Sequence, residues 1–300
     1  MKNASLIKTC LMAILSLSLT SACTLVSLEM DQTDEAMTST TRLEFSGISS
    51  HSTPTPPVTR SGFTREDFET LVDVRIGNGD PVYWYGVGVV YSFPDGEVLA
   101  RVEGVDLGKL YRPDPSVPSA QMYTRKFIVF RDPKTNELLR DEKGKIRFIG
   151  FNYQNFTWRL EGDYLMYDIE QGSGNQVFTV TEGRGNEIRK MGGLTVITTP
   201  VFVETPVGSW WEKYDLLIQD DNEVEPRYQY VWSRYGPNFS FMGGGFNTMS
   251  SWLYRYDNYD DMPQSIRDII ENEPGMDLWR NPPMDAAEIQ ELQKSGGNYR

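Results

Sequence analysis

The chain has 300 residues, with 29 Lys plus Arg against 42 Asp plus Glu and a formal net charge of -13. Hydrophobic residues make up 39% and charged residues 24%, the balance of a globular protein rather than a fibrous or wholly disordered one. A single His, two Cys and the acidic excess argue against a histidine-based catalytic centre, a zinc site and a general nucleic-acid surface.

Residues 1–23 (MKNASLIKTCLMAILSLSLTSAC) set Lys2 and Lys8 before an apolar run over 11–19 and end on the small residues Ser21 and Ala22. That is the layout of a secretory signal, with an apolar core too short for a comfortable membrane span. Thr20-Ser21-Ala22-Cys23 resembles the lipobox of bacterial lipoproteins, with Thr20 where Leu is usual. The resemblance implies lipidation at Cys23 and, from Thr24, attachment to the periplasmic side of the outer membrane. Ordinary cleavage after Ala22, giving a soluble periplasmic protein, is the alternative. Cys10 leaves with the signal and Cys23 would carry lipid, so the folded part has no thiol for catalysis, disulfides or metal.

Residues 24–61 read as a flexible Ser/Thr/Pro-rich tether, too poor in apolar side chains to offset the entropy of ordering them. It contains His51, the only imidazole. A single β-rich domain is expected over 62–280. Thr64 and Asp67 are spaced as a capping box, Phe63 and Phe68 as a hydrophobic staple, and Phe68, Leu71 and Val72 give a short helix an apolar face. Residues 82–92 (VYWYGVGVVYS) form the first strand, with Trp84, Gly86, Gly88 and Val90 on one side. Two glycines on one face require curvature, a bulge or something packed closely against them.

Further strands are predicted at 97–104, 122–130, 145–151, 164–169, 176–181, 194–199, 201–205, 211–219, 227–235 and 250–256. An exposed hairpin extension lies between 130 and 145, and a Gly/Ser turn at 172–175. Asp261 and Gln264 have capping spacing for a helix with Ile266, Ile269 and Ile270 on one stripe. Asp285 and Glu288 mark a final helix within a C-terminal region of 281–300, whose end from Ser295 looks frayed. Many short strands without intervening helices predict a mainly β fold, an antiparallel barrel or strongly curved sheet with short terminal helices.

The richest segment for chemistry is 228–256. Alternation puts Tyr228, Tyr230, Trp232 and Arg234 on one face of a strand, and Trp252, Tyr254 and Tyr256 opposite Leu253 and Arg255 on the next. As a binding site, aromatic walls including Trp232, Trp252 and Trp84 would supply apolar area, and Arg234, Asn238, Asn247 and Arg255 would orient a polar or anionic group. As a structural element, the same rings fill a core and the arginines pair with acids. Glu212 and Asp215 point to opposite faces of a strand and form no glycosidase pair by themselves. The acidic runs at 220–225 and 257–261 lack the spacing of a helix–loop–helix calcium site and read first as solvated turns. No nucleophile elbow or phosphate loop is present in the sequence.

Trp232-Ser233-Arg234-Tyr235-Gly236-Pro237-Asn238, then Met242-Gly243-Gly244-Gly245 and Ser251-Trp252, together with the strand from Trp84 to Tyr91, resemble a family of uncharacterised bacterial proteins known as DUF1838. The turn Asp132-Pro133-Lys134-Thr135-Asn136 belongs to the same likeness, with Asn136 where Gly is more typical. It covers most of 62–280 and implies no substrate, cofactor or catalytic residue. The expectation is therefore an exported, lipid-anchored protein that binds a small, partly apolar or anionic molecule, with no cofactor, no metal and no nucleic-acid partner, and contact with the membrane only through its lipid. The alternatives are an enzyme using Tyr, Arg and acidic groups, and a structural protein of the envelope.

Overall fold

One antiparallel sheet of twelve strands, strongly curled into a half-barrel, carries the fold in the computed structural model, which describes residues 58–171, 176–180, 186–205 and 208–294. The chain divides into two units, Met1–His51 and Ser52–Arg300, and every described residue lies in the second. The signal, Cys23, the tether as far as residue 57, the turn at 172–175, Thr181 and the tail from Ser295 lie outside the described residues.

In chain order the elements are β1 (Val58–Ser61), α1 (Arg65–Ile76), β2 (Val82–Phe93), β3 (Val98–Tyr111), β4 (Ser119–Arg131), β5 (Phe148–Glu161), β6 (Tyr164–Gln171) and β7 (Gln176–Val180). There follow β8 (Glu187–Met191), β9 (Leu194–Thr205), β10 (Gly208–Gln219), β11 (Tyr228–Pro237), β12 (Phe246–Tyr256), α2 (Gln264–Asn272) and α3 (Ala286–Lys294). The ladder runs β1-β8-β9-β10-β11-β12-β2-β3-β4-β5-β6-β7. No helix among the described residues is long and apolar enough to cross a membrane.

The curl has a local cause. On the inner face of β2 and β3, a Cβ on Gly88 would lie 2.3 Å from the Ser250 carbonyl oxygen, and one on Gly104 2.3 Å from that of Phe127. Neighbouring strands approach there more closely than any side chain permits, so the inner face contracts and the sheet bends. Register shifts at Val90/Tyr91 between β2 and β3 and at Thr124/Lys126 between β4 and β5 add irregularities nearby. The two wings then meet without a shared ladder: the Tyr167 hydroxyl on β6 donates to the Pro200 carbonyl on β9 at 3.1 Å, and the Phe63 amide to Asp163 O at 2.8 Å.

Helix α1 lies in the concavity. Thr64 caps it through the complete box with Asp67, and Gly77 ends it at φ 83. Its Phe68, Leu71 and Val72 share a core with Trp84, Met122, Trp158, Leu165 and Ile197 from both wings. On the outer face, Ile266, Ile269 and Ile270 of α2 cover Val105, Leu107 and Phe127. That packing is locked by buried Glu103, which accepts from Arg131, from Ser265 at 2.6 Å and from Tyr85 at 3.1 Å.

Several expected boundaries change. The last four residues of the predicted tether form β1, held by antiparallel pairing to β8, and neither strand carries enough apolar alternation to be seen alone. Residues 194–205 are one strand, not two. β8 pairs no farther than Thr198, so on that side Pro200 has no ladder bond to break. β5 continues through Asn152 and Gln154, whose polarity masks the strand pattern. The predicted Asp261 cap of α2 does not form: Asp261 accepts from Asn258 within a 3-10 turn, and Pro263 stands at the N-cap with no side-chain bond.

Candidate functional site

The parity that sends Trp84 inward on β2 sends Asp106 of β3, Lys126 of β4, Phe156 of β5, Glu212 and Tyr214 of β10, and Tyr230, Trp232 and Arg234 of β11 to the same concave face. Beyond the part of the concavity filled by α1, these side chains enclose open space. One small compartment, a cavity of about 40 Å³, lies against Leu71 and Arg75 of α1. A second, of about 240 Å³, extends past Gln154, Trp210 and Trp232 to Phe239. Lys126, Phe156 and Tyr214 line both.

At the α1 end sits a buried polar cluster. Arg75 donates to Asp106 Oδ2 at 2.5 Å, Thr124 Oγ1 to Asp106 Oδ1 at 2.7 Å, and the Tyr230 hydroxyl to Asp106 Oδ2 at 3.3 Å. The Arg75 guanidinium also lies 5.0 Å from the Tyr230 ring centre and 5.7 Å from that of Trp84. Burial opposes ionisation of Asp106, but the Arg75 and Lys126 charges and the Thr124 and Arg75 hydrogen bonds outweigh it and hold the carboxyl below the usual carboxylate range.

Toward the other end, Glu212 accepts from the Tyr214 hydroxyl at 2.6 Å and from Trp232 Nε1 at 3.2 Å. Burial pushes the Tyr167, Tyr214 and Tyr230 phenols well up; the Glu212 charge adds to the shift at Tyr167 and Tyr214, and Asp106 to that at Tyr230. All three therefore stay protonated and can offer hydrogen bonds. The Lys126 ammonium lies 5.5 Å from the Phe151 ring and 5.6 Å from the Phe156 ring, and no carboxylate among the described residues forms an ion pair with it.

The residues singled out in the sequence divide into three groups. Trp232 and Arg234 line the larger compartment. Arg234 stacks 4.9 Å from Phe239 and donates to Asn247 Oδ1 at 3.2 Å; Asn247 bonds Asn238 Oδ1 at 3.2 Å, and Asn238 donates to Gly244 O at 2.9 Å. This chain braces the connection between β11 and β12, whose Phe239 and Phe241 pack on Phe130 and close that end of the concavity. Burial lowers the pKa of Arg234. Trp84 is fully buried and donates from Nε1 to the Arg75 carbonyl at 3.0 Å, forming wall rather than rim.

Trp252 and Arg255 are not brought to the cavity. Trp252 stands on the outer face, 42% exposed, and bonds Gln229. Arg255 caps the C-terminal end of α1, donating to the carbonyls of Asp73 and Val74 at 2.9 Å. Sequence reasoning missed Arg75, Asp106 and Lys126. The signal for Lys126 was a lone charge on the face of β4 that also carries Ala120, Met122, Thr124, Ile128 and Phe130.

Outside the cavity, a groove of about 1240 Å³ between the β4–β5 connection and the β11–β12 connection is lined by Arg140, Lys143, Lys145 and Arg147, with Asp141 and Glu273 among them and Arg140 paired to Glu273 at 2.5 Å. It shares Ile149 and Phe239 with the larger compartment. The cavity mouth thus carries four cations against two carboxylates, a modest basic excess on an acidic protein. Among the described residues no group of three or more His, Cys, Asp or Glu side chains is placed to hold a metal ion.

No family model, curated protein or solved structure matches the chain. The fold and cavity define a mainly β half-barrel with an aromatic-lined interior space.

Proposed function

We propose that this protein binds a small, partly apolar molecule inside the half-barrel. The observation that carries the reading is the unfilled aromatic space between Phe156, Tyr214 and Trp232. Protein interiors are close-packed, and a void this size forfeits dispersion contacts unless something occupies it. The protonated inner phenols support binding over an enzyme that would use tyrosinate as a base.

The reading sets this binding protein in the cell envelope, exported by its signal, lipid-anchored at Cys23 and related to DUF1838. Its support is the signal layout and the motif segments around 84–91 and 232–252. Mass analysis of the mature N-terminus should find a lipidated Cys23; an unmodified Cys23 or a chain starting at Thr24 overturns the anchor.

Binding is tested with the uncharged naphthalene dye prodan, followed by energy transfer from tryptophan. Val201 is buried on the inner face of β9 and lines the larger compartment. Val201→Trp should fill the space and abolish dye binding while the circular dichroism spectrum is kept. Unchanged dye affinity in that variant refutes the cavity as the binding site.

A further inference from the structure

The interior charges do not balance, and the imbalance points to what the ligand carries. Asp106 has a full set of partners in Arg75, Thr124 and Tyr230. One carboxylate there faces two cations, because both the Arg75 and the Lys126 charge act on it. Arg75 is only 7% exposed, and its Nη1 is buried with no hydrogen-bond partner among the described residues. Lys126 lines the same compartment, with the Phe151 and Phe156 ring faces beside its ammonium. Glu212, the other inner acid, is engaged by Tyr214 and Trp232 on the opposite wing. Excess positive charge in a desolvated space is costly unless an anion completes the set.

We propose that Lys126, facing Arg75, forms an anion subsite that receives a single carboxylate or comparable oxyanion of an amphiphilic ligand, whose apolar body extends into the larger compartment against Phe151, Phe156 and Trp232. The proposal rests on the cavity being the binding site and adds the chemical class of the ligand. It differs from the sequence expectation, which gave this role to Arg234 and Arg255: Arg255 is spent on helix carbonyls and Arg234 on the cap loop. The groove lined by Arg140, Lys143, Lys145 and Arg147 suits the approach of such an anion.

The test is competition against prodan on the full chain, comparing decanoate with decanol, and naphthoate with naphthol for a flat ring body. A charge-assisted contact of about 1.5–3 kcal/mol corresponds to roughly 10-fold or more in affinity. The acid of at least one pair should therefore displace the dye at a concentration at least ~10-fold below that of its alcohol, and the pair that does so tells an acyl from an aromatic ligand. In Lys126→Met this preference should vanish through weaker acid binding, with alcohol binding unchanged as proof that the cavity persists, and Lys126→Arg should restore most of it. Equal displacement by acid and alcohol in both pairs, or a preference that survives Lys126→Met, overturns the anion subsite and leaves the cavity reading standing. If prodan itself fails to bind, the cavity reading falls and the subsite with it.

Discussion

Replacing Asp106 with Asn removes the one negative charge in direct contact with Arg75 while keeping the side chain's shape. Both partners are buried, with side-chain exposures of 9% and 8%, so solvent cannot take over the lost interaction. Asn cannot offer two anionic oxygens to Arg75, Thr124 and Tyr230 together, and the Arg75 guanidinium is left buried and uncompensated. Breaking a buried pair from one side costs about 3–5 kcal/mol. For a domain of this size each kcal/mol moves Tm by about 2–4 °C, so Asp106→Asn should lower Tm by roughly 6–20 °C. Urea unfolding followed by tryptophan fluorescence and thermal melts read the loss directly.

The pH dependence has a fixed sign. The folded carboxyl titrates below the unfolded one, so its contribution is complete above the unfolded value and disappears as pH falls through the folded value. The gap between wild type and Asp106→Asn should be widest near neutrality and shrink once the pH drops below about 4. Replacing both partners, with Asp106→Leu and Arg75→Met, should recover most of the loss, because no charge is stranded. A single-variant loss under about 1 kcal/mol, against the 3–5 expected, or a gap that widens in acid, would refute the reasoning.

Other substitutions probe separate links. Gly88→Ala sets a methyl 2.3 Å from the Ser250 carbonyl, so it should destabilise by about 1–3 kcal/mol in urea and more if the curl cannot relax. Thr64→Ala removes the capping oxygen of α1 and should cost about 1 kcal/mol by the same measurement. Raised folded pKa values at Tyr167, Tyr214 and Tyr230 mean that stability falls once pH rises past the ordinary phenol range; in an alkaline absorbance titration these three groups should ionise only with unfolding. Reversing two charges at the mouth, Lys143→Glu with Lys145→Glu, should slow association of decanoate and invert its salt dependence in stopped flow, while dissociation changes little.

How much of this was legible in the chain depended on whether a signal was local. The capping box at Thr64 and Asp67, the aromatic strand from residue 82, and the Ile266, Ile269 and Ile270 stripe are written in neighbouring residues, and each formed. The paired glycines of β2 announced a close approach, and the partner proved to be β12. Strand β1 was invisible because its partner β8 is far away in sequence, and β8 because EIRKM lacks apolar alternation although it forms a tight hairpin with β9. The cavity-lining residues were legible only where they sat in an aromatic run, as Trp232 and Arg234 do. Asp106, Lys126 and Arg75 meet only because β3, β4 and α1 converge on one concave face, and no spacing in the sequence encodes that. Arg255 looked like a site residue because it interrupts an aromatic strand, yet its head group reaches the end of α1.

Photo-crosslinking with a diazirine-bearing analogue of decanoate, followed by peptide mapping of the full chain, asks most directly where a ligand goes. Adducts should fall on inward-facing residues of β4, β5, β10 and β11, among them Phe151, Tyr214 and Trp232, and excess unlabelled decanoate should suppress them. Labelling confined to outward-facing residues such as Trp211, Tyr235 and Trp252, or labelling that competitor leaves unchanged, would contradict an occupied interior.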